Sequence, residues 1–270
     1  VIGFDGSGST YYIDTYTSDF NSFIFYKRSD IQNNNSTFRC YVESPEEEII
    51  EDISTLDYQT LSIDNKFRTY RLAMACTIEY AAFHVNRAPA GVPRTTEAQK
   101  KAIVLAAMNV TVNRLNAIYE RDLSIRFVLV ANNINIIFIN SDNFDNNDAG
   151  ELIDQSQSVI TQIIGTANFD IGHTVSTGGG GLAGPSPCVS SRKATGITGS
   201  PSPVGDPFDI DYVAHEIGHQ FGANHTFNAQ TGSCAYENRN LATAVEPGSG
   251  RGFAVGGKVA CKYRACAVAH

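Results

Sequence analysis

His215-Glu216-Ile217-Gly218-His219-Gln220-Phe221-Gly222-Ala223-Asn224-His225 has the form H-E-x-x-H-x-x-G-x-x-H, and each fixed letter has a chemical job. On an α-helix His215 and His219 stand one turn apart on one face, so two imidazoles can reach one ion. Glu216 lies about 100° round the helix from His215, within reach of a water on that ion. Gly222 can take a positive φ and end the helix without a Cβ penalty, which lets the chain turn back and deliver His225 as a third ligand. Three histidines and a water describe a catalytic zinc site, whereas structural zinc is closed by four protein ligands.

The flanks agree with a helix. Asp209 and Asp211 stand at its expected start, where a cap and a negative charge are favourable. Ile210, Val213, Ala214, Ile217 and Phe221 fall on one arc, roughly opposite His215 and His219, so one face meets a core and the other presents ligands. The plainer reading is two core histidines on an amphipathic helix with a stray third. It leaves Glu216, Gly222 and His225 together without explanation.

The net charge of −8 argues against nucleic acid or an anionic membrane as main partner. No apolar run is long enough to span a bilayer. The chain begins at Val1 with no initiator Met, and it is read as an excerpt of a longer precursor. Cys40, Cys76, Cys188, Cys234, Cys261 and Cys266 form no C-x-x-C. Spread over this length they suggest a few disulfides in an exported protein, with connectivity not readable from spacing.

Taken in order, Tyr11-Tyr12-Ile13 and Phe23-Ile24-Phe25-Tyr26 are short β-prone runs. Residues 30–37 are an Asn-rich loop, and residues 45–65 an acidic linker. A strand is expected from Lys66 to about Ala75, passing into a helix from Thr77. Thr95-Thr96-Glu97 opens a largely buried helix running to about Glu120. Ile125 to Val130 reads as a core strand, and Ile134 to Ile139 as its continuation beyond Asn132-Asn133. Residues 141–150 have Asp and Asn oxygens that could bind Ca2+. Their spacing does not fit an EF-hand, and an Asx-rich turn is the simpler reading. A helix follows from Glu151 to about Gly165, then a short strand at Ile171 to Val175. Residues 176–208 read as a long Gly/Ser/Pro-rich loop of the kind that is usually functional or disordered. This alternation predicts an α/β (α+β) fold: a twisted, mixed, mostly parallel sheet packed with helices, the zinc-binding helix among them.

The motif resembles that of the metzincin metallopeptidases. Asp206 to Gly222, Gly178-Gly179-Gly180-Gly181-Leu182-Ala183, Asn238-Arg239-Asn240 and Thr243 to Gly250 look like the bacterial reprolysin-like, adamalysin-related members. The resemblance implies residues 1–65 as the end of a propeptide and its linker, and residues 66–250 as the catalytic domain. It implies one Zn2+ on His215, His219 and His225, and Glu216 as general base. It also implies an edge strand in which Gly181, Leu182 and Ala183 pair with an extended substrate; the plainer reading of those glycines is a mobile loop. Cys188 falls where reprolysins often place a disulfide cysteine. Cys40 has two readings: a thiolate that blocks the zinc in a latent zymogen, or half of an ordinary disulfide, for instance with Cys76. His84 and His173 read as structural, with His173 near the cleft.

Two features depart from the family. A metzincin has a Met-containing turn after its third histidine, whereas the two methionines here, Met74 and Met108, both lie upstream. Resemblance stops at Arg251, and residues 251–270 are basic with no acidic residue, either a divergent tail or the product of a shifted reading frame. The expectation is a secreted, extracellular, monomeric zinc endopeptidase acting on proteins or peptides. The alternative is a zinc-stabilised binding module, or an inactive peptidase lacking the Met-turn.

Overall fold

The computed structural model describes residues 66–184 and 187–223, with the strand segments 2–4, 10–15, 23–27 and 40–41. The acidic linker, His225, the Met-turn region, the tail 251–270 and Cys234, Cys261 and Cys266 lie outside these residues. Strands β1 (Ile2–Phe4), β2 (Thr10–Thr15) and β3 (Phe23–Lys27) form an antiparallel three-stranded sheet. These include the β-prone tyrosine and phenylalanine runs, with Tyr11 stacked on Phe25.

The main sheet has the order β4-β8-β9-β7-β5-β6. Its centre is β5 (Arg68–Cys76), flanked in parallel by β6 (Ile125–Leu129) and β7 (Ile171–Ser176). β9 (Gly196–Gly199) continues parallel to β7, and β8 (Gly180–Ala183) runs antiparallel to β9. β4 (Cys40–Tyr41) adds outside β8, parallel to it. The sheet is mixed and mostly parallel, as expected.

The continuous apolar run Leu72-Ala73-Met74-Ala75-Cys76 is buried on both sides, the pattern of a central parallel strand. Leu72, Met74 and Cys76 face a core built with two helices, α1 (Ile78–Arg87) and α2 (Glu97–Leu123), and with the histidine-bearing helix. Ala73 and Ala75 face a smaller core under α3 (Ala149–Ile164).

Local chemistry sets the helix ends. The Thr77 side chain caps α1, and Thr96 with Gln99 forms a capping box on α2. Asp148 caps α3 by accepting from the amides of Gly150 and Glu151. Asp142 and Asp145 also accept backbone amides, so the 141–150 loop is a series of Asx turns.

Several expectations need correction. α2 is buried along one stripe, from Val104 through Met108, Thr111, Val112 and Leu115 to Tyr119, while Val110 on the other side is exposed. β6 is the sheet's edge, not its core, and Val128 faces solvent. Residues after Asn132 do not continue as a strand: Asn133–Ile136 is a 3-10 turn, and only Ile137 bridges to Cys76. The cause is Asn133, whose side chain accepts from the Met74 amide and donates to the Met74 carbonyl. One amide side chain thus takes the place of a neighbouring strand. The long loop expected at 176–208 contains the β8–β9 hairpin. Its glycines lack strand propensity, and the pairing is set by tertiary contacts.

Candidate active site

The histidine helix starts earlier than its acidic residues suggest. After Gly205, at φ +74°, a short helix α4 (Asp206–Phe208) leads into a π-helical segment, Asp209–Ala214, and then α5 (His215–Gln220). π-Helical turns inside helices are rare and concentrate at functional sites. Asp209 is not a cap, as expected from sequence, but a buried anchor. Its carboxylate accepts from Thr111 Oγ1 at 2.7 Å and pairs with Arg114 Nε at 3.2 Å. Further along, the Tyr119 hydroxyl donates to the Ala214 carbonyl, the last of the π segment, at 2.8 Å. Three residues of α2 therefore clamp both ends of the wide turn. Sequence reading missed all three, because they lie about a hundred residues away.

The apolar arc is as expected: Ile210, Val213, Ala214, Ile217 and Phe221 are all buried. Phe221 meets Tyr70 edge-on at 5.1 Å between ring centroids. On the other side His215 and His219 cross at 85°, and their Nε2 atoms are 2.9 Å apart. Gly222 has φ +81°, as its place in the motif demands, and it turns the chain so that the Ala223 carbonyl lies 2.5 Å from His219 Nδ1. That carbonyl can only accept, so Nδ1 carries the proton and Nε2 keeps its lone pair. A metal-ligating histidine is oriented in this way. The pair fits a divalent ion with imidazole ligands. His225 lies outside the described residues, and among those residues no group of three metal-binding side chains is assembled.

Glu216 is fully buried and points at the sheet. A Cβ placed on Gly181 would lie 2.2 Å from Glu216 Oε1, so the carboxylate occupies the space over a glycine of β8. Gly181, Leu182 and Ala183 do form a strand, with Leu182 partly exposed and its neighbours buried. The outer side of that strand pairs with Cys40 and Tyr41, in the register Cys40↔Gly181 and Tyr41↔Leu182. Nothing in the sequence pattern placed residues 40–41 there.

His173 is fully buried on β7, next to this helix. Its Nδ1 is 2.9 Å from Gln220 Oε1, and its Nε2 is 2.8 Å from Thr198 Oγ1. Burial lowers its pKa to about 4, so the ring is neutral. His84 packs on Tyr80 and Phe83, and burial lowers its pKa to about 4 as well. Cys76 is a free, buried thiol that burial pushes up to about 12. The Cys40–Cys76 disulfide is therefore not formed.

A histidine pair with an intervening glutamate, on a glycine-terminated helix beside the outermost strands of a mixed sheet, is consistent with the metzincin class of metallopeptidase. Residues 105–226, from α2 through the whole histidine motif, match the family of reprolysin-like M12B metallopeptidases. That match covers under half of the residues, and over this segment the chain is similar to a metallopeptidase of that family. No curated protein sequence matches the chain.

Proposed function

We propose that the chain is a secreted zinc endopeptidase in which His215, His219 and His225 hold the ion and Glu216 is the general base. The observation that carries this reading is the 2.9 Å convergence of the two Nε2 atoms, with Glu216 buried against β8. A bound Zn2+ supplies an electrophile for the scissile carbonyl and lowers the pKa of a coordinated water. Glu216 takes a proton from the attacking water as its oxygen bonds to the carbonyl carbon. It then gives a proton to the leaving nitrogen as the C–N bond breaks, which yields a carboxylate and an amine. The β8 residues Gly181, Leu182 and Ala183 align the extended substrate through backbone hydrogen bonds.

Residues 66–250 act as the catalytic domain in this reading, and residues 1–65 as a propeptide-like segment. Pairing of β4 with β8 supports latency, since an extended substrate needs the strand edge that Cys40 and Tyr41 cover. Export is supported by the disulfide-bonded state of Cys188.

The test is zinc content and casein hydrolysis of the purified chain, before and after limited proteolysis, with Glu216→Ala as control. One zinc per chain with hydrolysis that Glu216→Ala abolishes is the expected result. Zinc at that stoichiometry with no hydrolysis at any pH, in either form, points instead to a zinc-stabilised module without turnover.

A further inference from the structure

Glu216 and Gln220 lie four residues apart on α5 and so share one face. Each enters a notch left by a glycine. The Glu216 carboxylate fills the space over Gly181 of β8. The Gln220 amide fills the space over Gly196 of β9, where a Cβ would lie 2.2 Å from its Cδ. β8 and β9 are paired in the register Gly181↔Thr198 and Ala183↔Gly196, which puts Gly181, Ala183, Gly196 and Thr198 on one face. The helix is thus keyed to both strands of the hairpin by two side chains, and only the first is a fixed position of the histidine motif.

The second key is locked by a chain of hydrogen bonds whose direction is fully determined. Gln220 Nε2 donates to the Gly172 carbonyl at 2.8 Å, so its Oε1 must be an acceptor. His173 Nδ1 therefore carries the ring proton and donates to Oε1. The lone pair on His173 Nε2 is left to accept from the Thr198 hydroxyl. Thr198 is the cross-strand partner of Gly181, so the chain of bonds ends beside the residue that Glu216 overlies.

We propose that Gln220, held by His173 and Gly172 in the Gly196 notch, is a positioning residue that sets the height of Glu216 over β8. The inference rests on the metallopeptidase reading and names a residue that this reading does not use. Gln220 touches no reacting atom. It acts by fixing the helix on the hairpin, where a displacement of about 1 Å can cost about 100-fold in rate.

The experiment uses the zinc-loaded full chain, assayed before and after limited proteolysis, and Gln220→Met, which fills the notch but makes none of the hydrogen bonds. The expected result is a kcat on casein lowered about 10- to 100-fold, with KM changed less than about threefold, one zinc retained and the far-UV circular dichroism unchanged. Gly196→Ala, which collides with Gln220, should lower kcat likewise; adding Gln220→Ala should restore thermal stability but not kcat. Independently of turnover, nitrogen-15 NMR of His173 should show Nδ1 protonated and Nε2 unprotonated at neutral pH. Wild-type kcat in Gln220→Met, or a ring protonated at Nε2, overturns the proposal. If the wild-type chain binds zinc but hydrolyses nothing before or after limited proteolysis, the metallopeptidase reading is what fails. The absorption spectrum of the Co2+-substituted protein then decides the positioning role: Gln220→Met should shift it, and an unshifted spectrum rejects that role.

Discussion

His219 Nδ1 lies 2.5 Å from the carbonyl oxygen of Ala223, four residues further on and past the end of its own helix. The contact exists because Gly222 takes φ +81° and folds the chain back. A residue with a Cβ pays about 1–2 kcal/mol for that conformation, and any relaxation moves the carbonyl. Gly222→Ala should therefore weaken metal binding about 10-fold or more, the usual effect of losing a partner that orients a ligand. Competition with a chelator of known zinc affinity measures this. Unchanged affinity in a folded variant would show that the carbonyl does not orient the ring.

Asp209, Thr111 and Arg114 form a buried polar cluster that holds the π-helical turn to α2. Arg114→Met leaves a buried carboxylate without its cation and should destabilise the fold by about 3–5 kcal/mol. Replacing both partners, with Arg114→Met and Asp209→Leu together, removes the stranded charge and should recover much of that loss. Urea unfolding of the two single variants and the double variant gives the coupling. Additive losses would mean that the ion pair is not the anchor.

The stability of the fold should fall on mild acidification. His173 and His84 are both lowered from the usual 6.5 to about 4, chiefly by burial. Between those values the unfolded chain binds protons that the folded chain refuses, so stability rises with pH across this window. The contribution is complete above about pH 6.5 and is lost progressively as pH falls toward 4. His173→Gln should flatten this dependence, read as Tm against pH from 4 to 7. An equally steep profile in the variant would assign the effect to other groups.

The parts that were legible in the sequence are those set by neighbours along the chain. Thr96 and Gly222 mark helix ends because a side-chain oxygen or a positive φ acts within a few residues. The run from Lys66 to about Ala75 reads as strand from its local composition, but its central place in the sheet depends on partners distant in sequence. The π-helical turn has no such signature: its residues keep a helical apolar pattern, and the anchors Thr111, Arg114 and Tyr119 are distant in sequence. Asn133 interrupts an apolar run that reads as strand, since its amide satisfies β5 directly. The histidine pair was readable from one motif. The glycine notches were not, because a glycine's reason for being small is the side chain that lies over it, here Glu216 or Gln220.

The register of β4 on β8 makes a prediction that separates two ways of holding the site latent. Cys40 and Tyr41 pair in parallel with Gly181 and Leu182, so the backbone itself covers the strand an extended substrate would use. A two-residue strand contributes few hydrogen bonds, each worth about 1 kcal/mol net, so the block should be easy to weaken. Tyr41→Pro removes a backbone N–H from this segment and disfavours its pairing. If strand pairing is the block, Tyr41→Pro should raise hydrolysis of a short peptide several-fold, and Cys40→Ser should change it little. If a thiolate on the metal is the block, the order reverses: Cys40→Ser activates, and Tyr41→Pro has the smaller effect. Equal activity in wild type and both variants would mean that residues 40–41 do not restrain the site in solution. Initial rates for the three proteins, matched for zinc content, distinguish the outcomes.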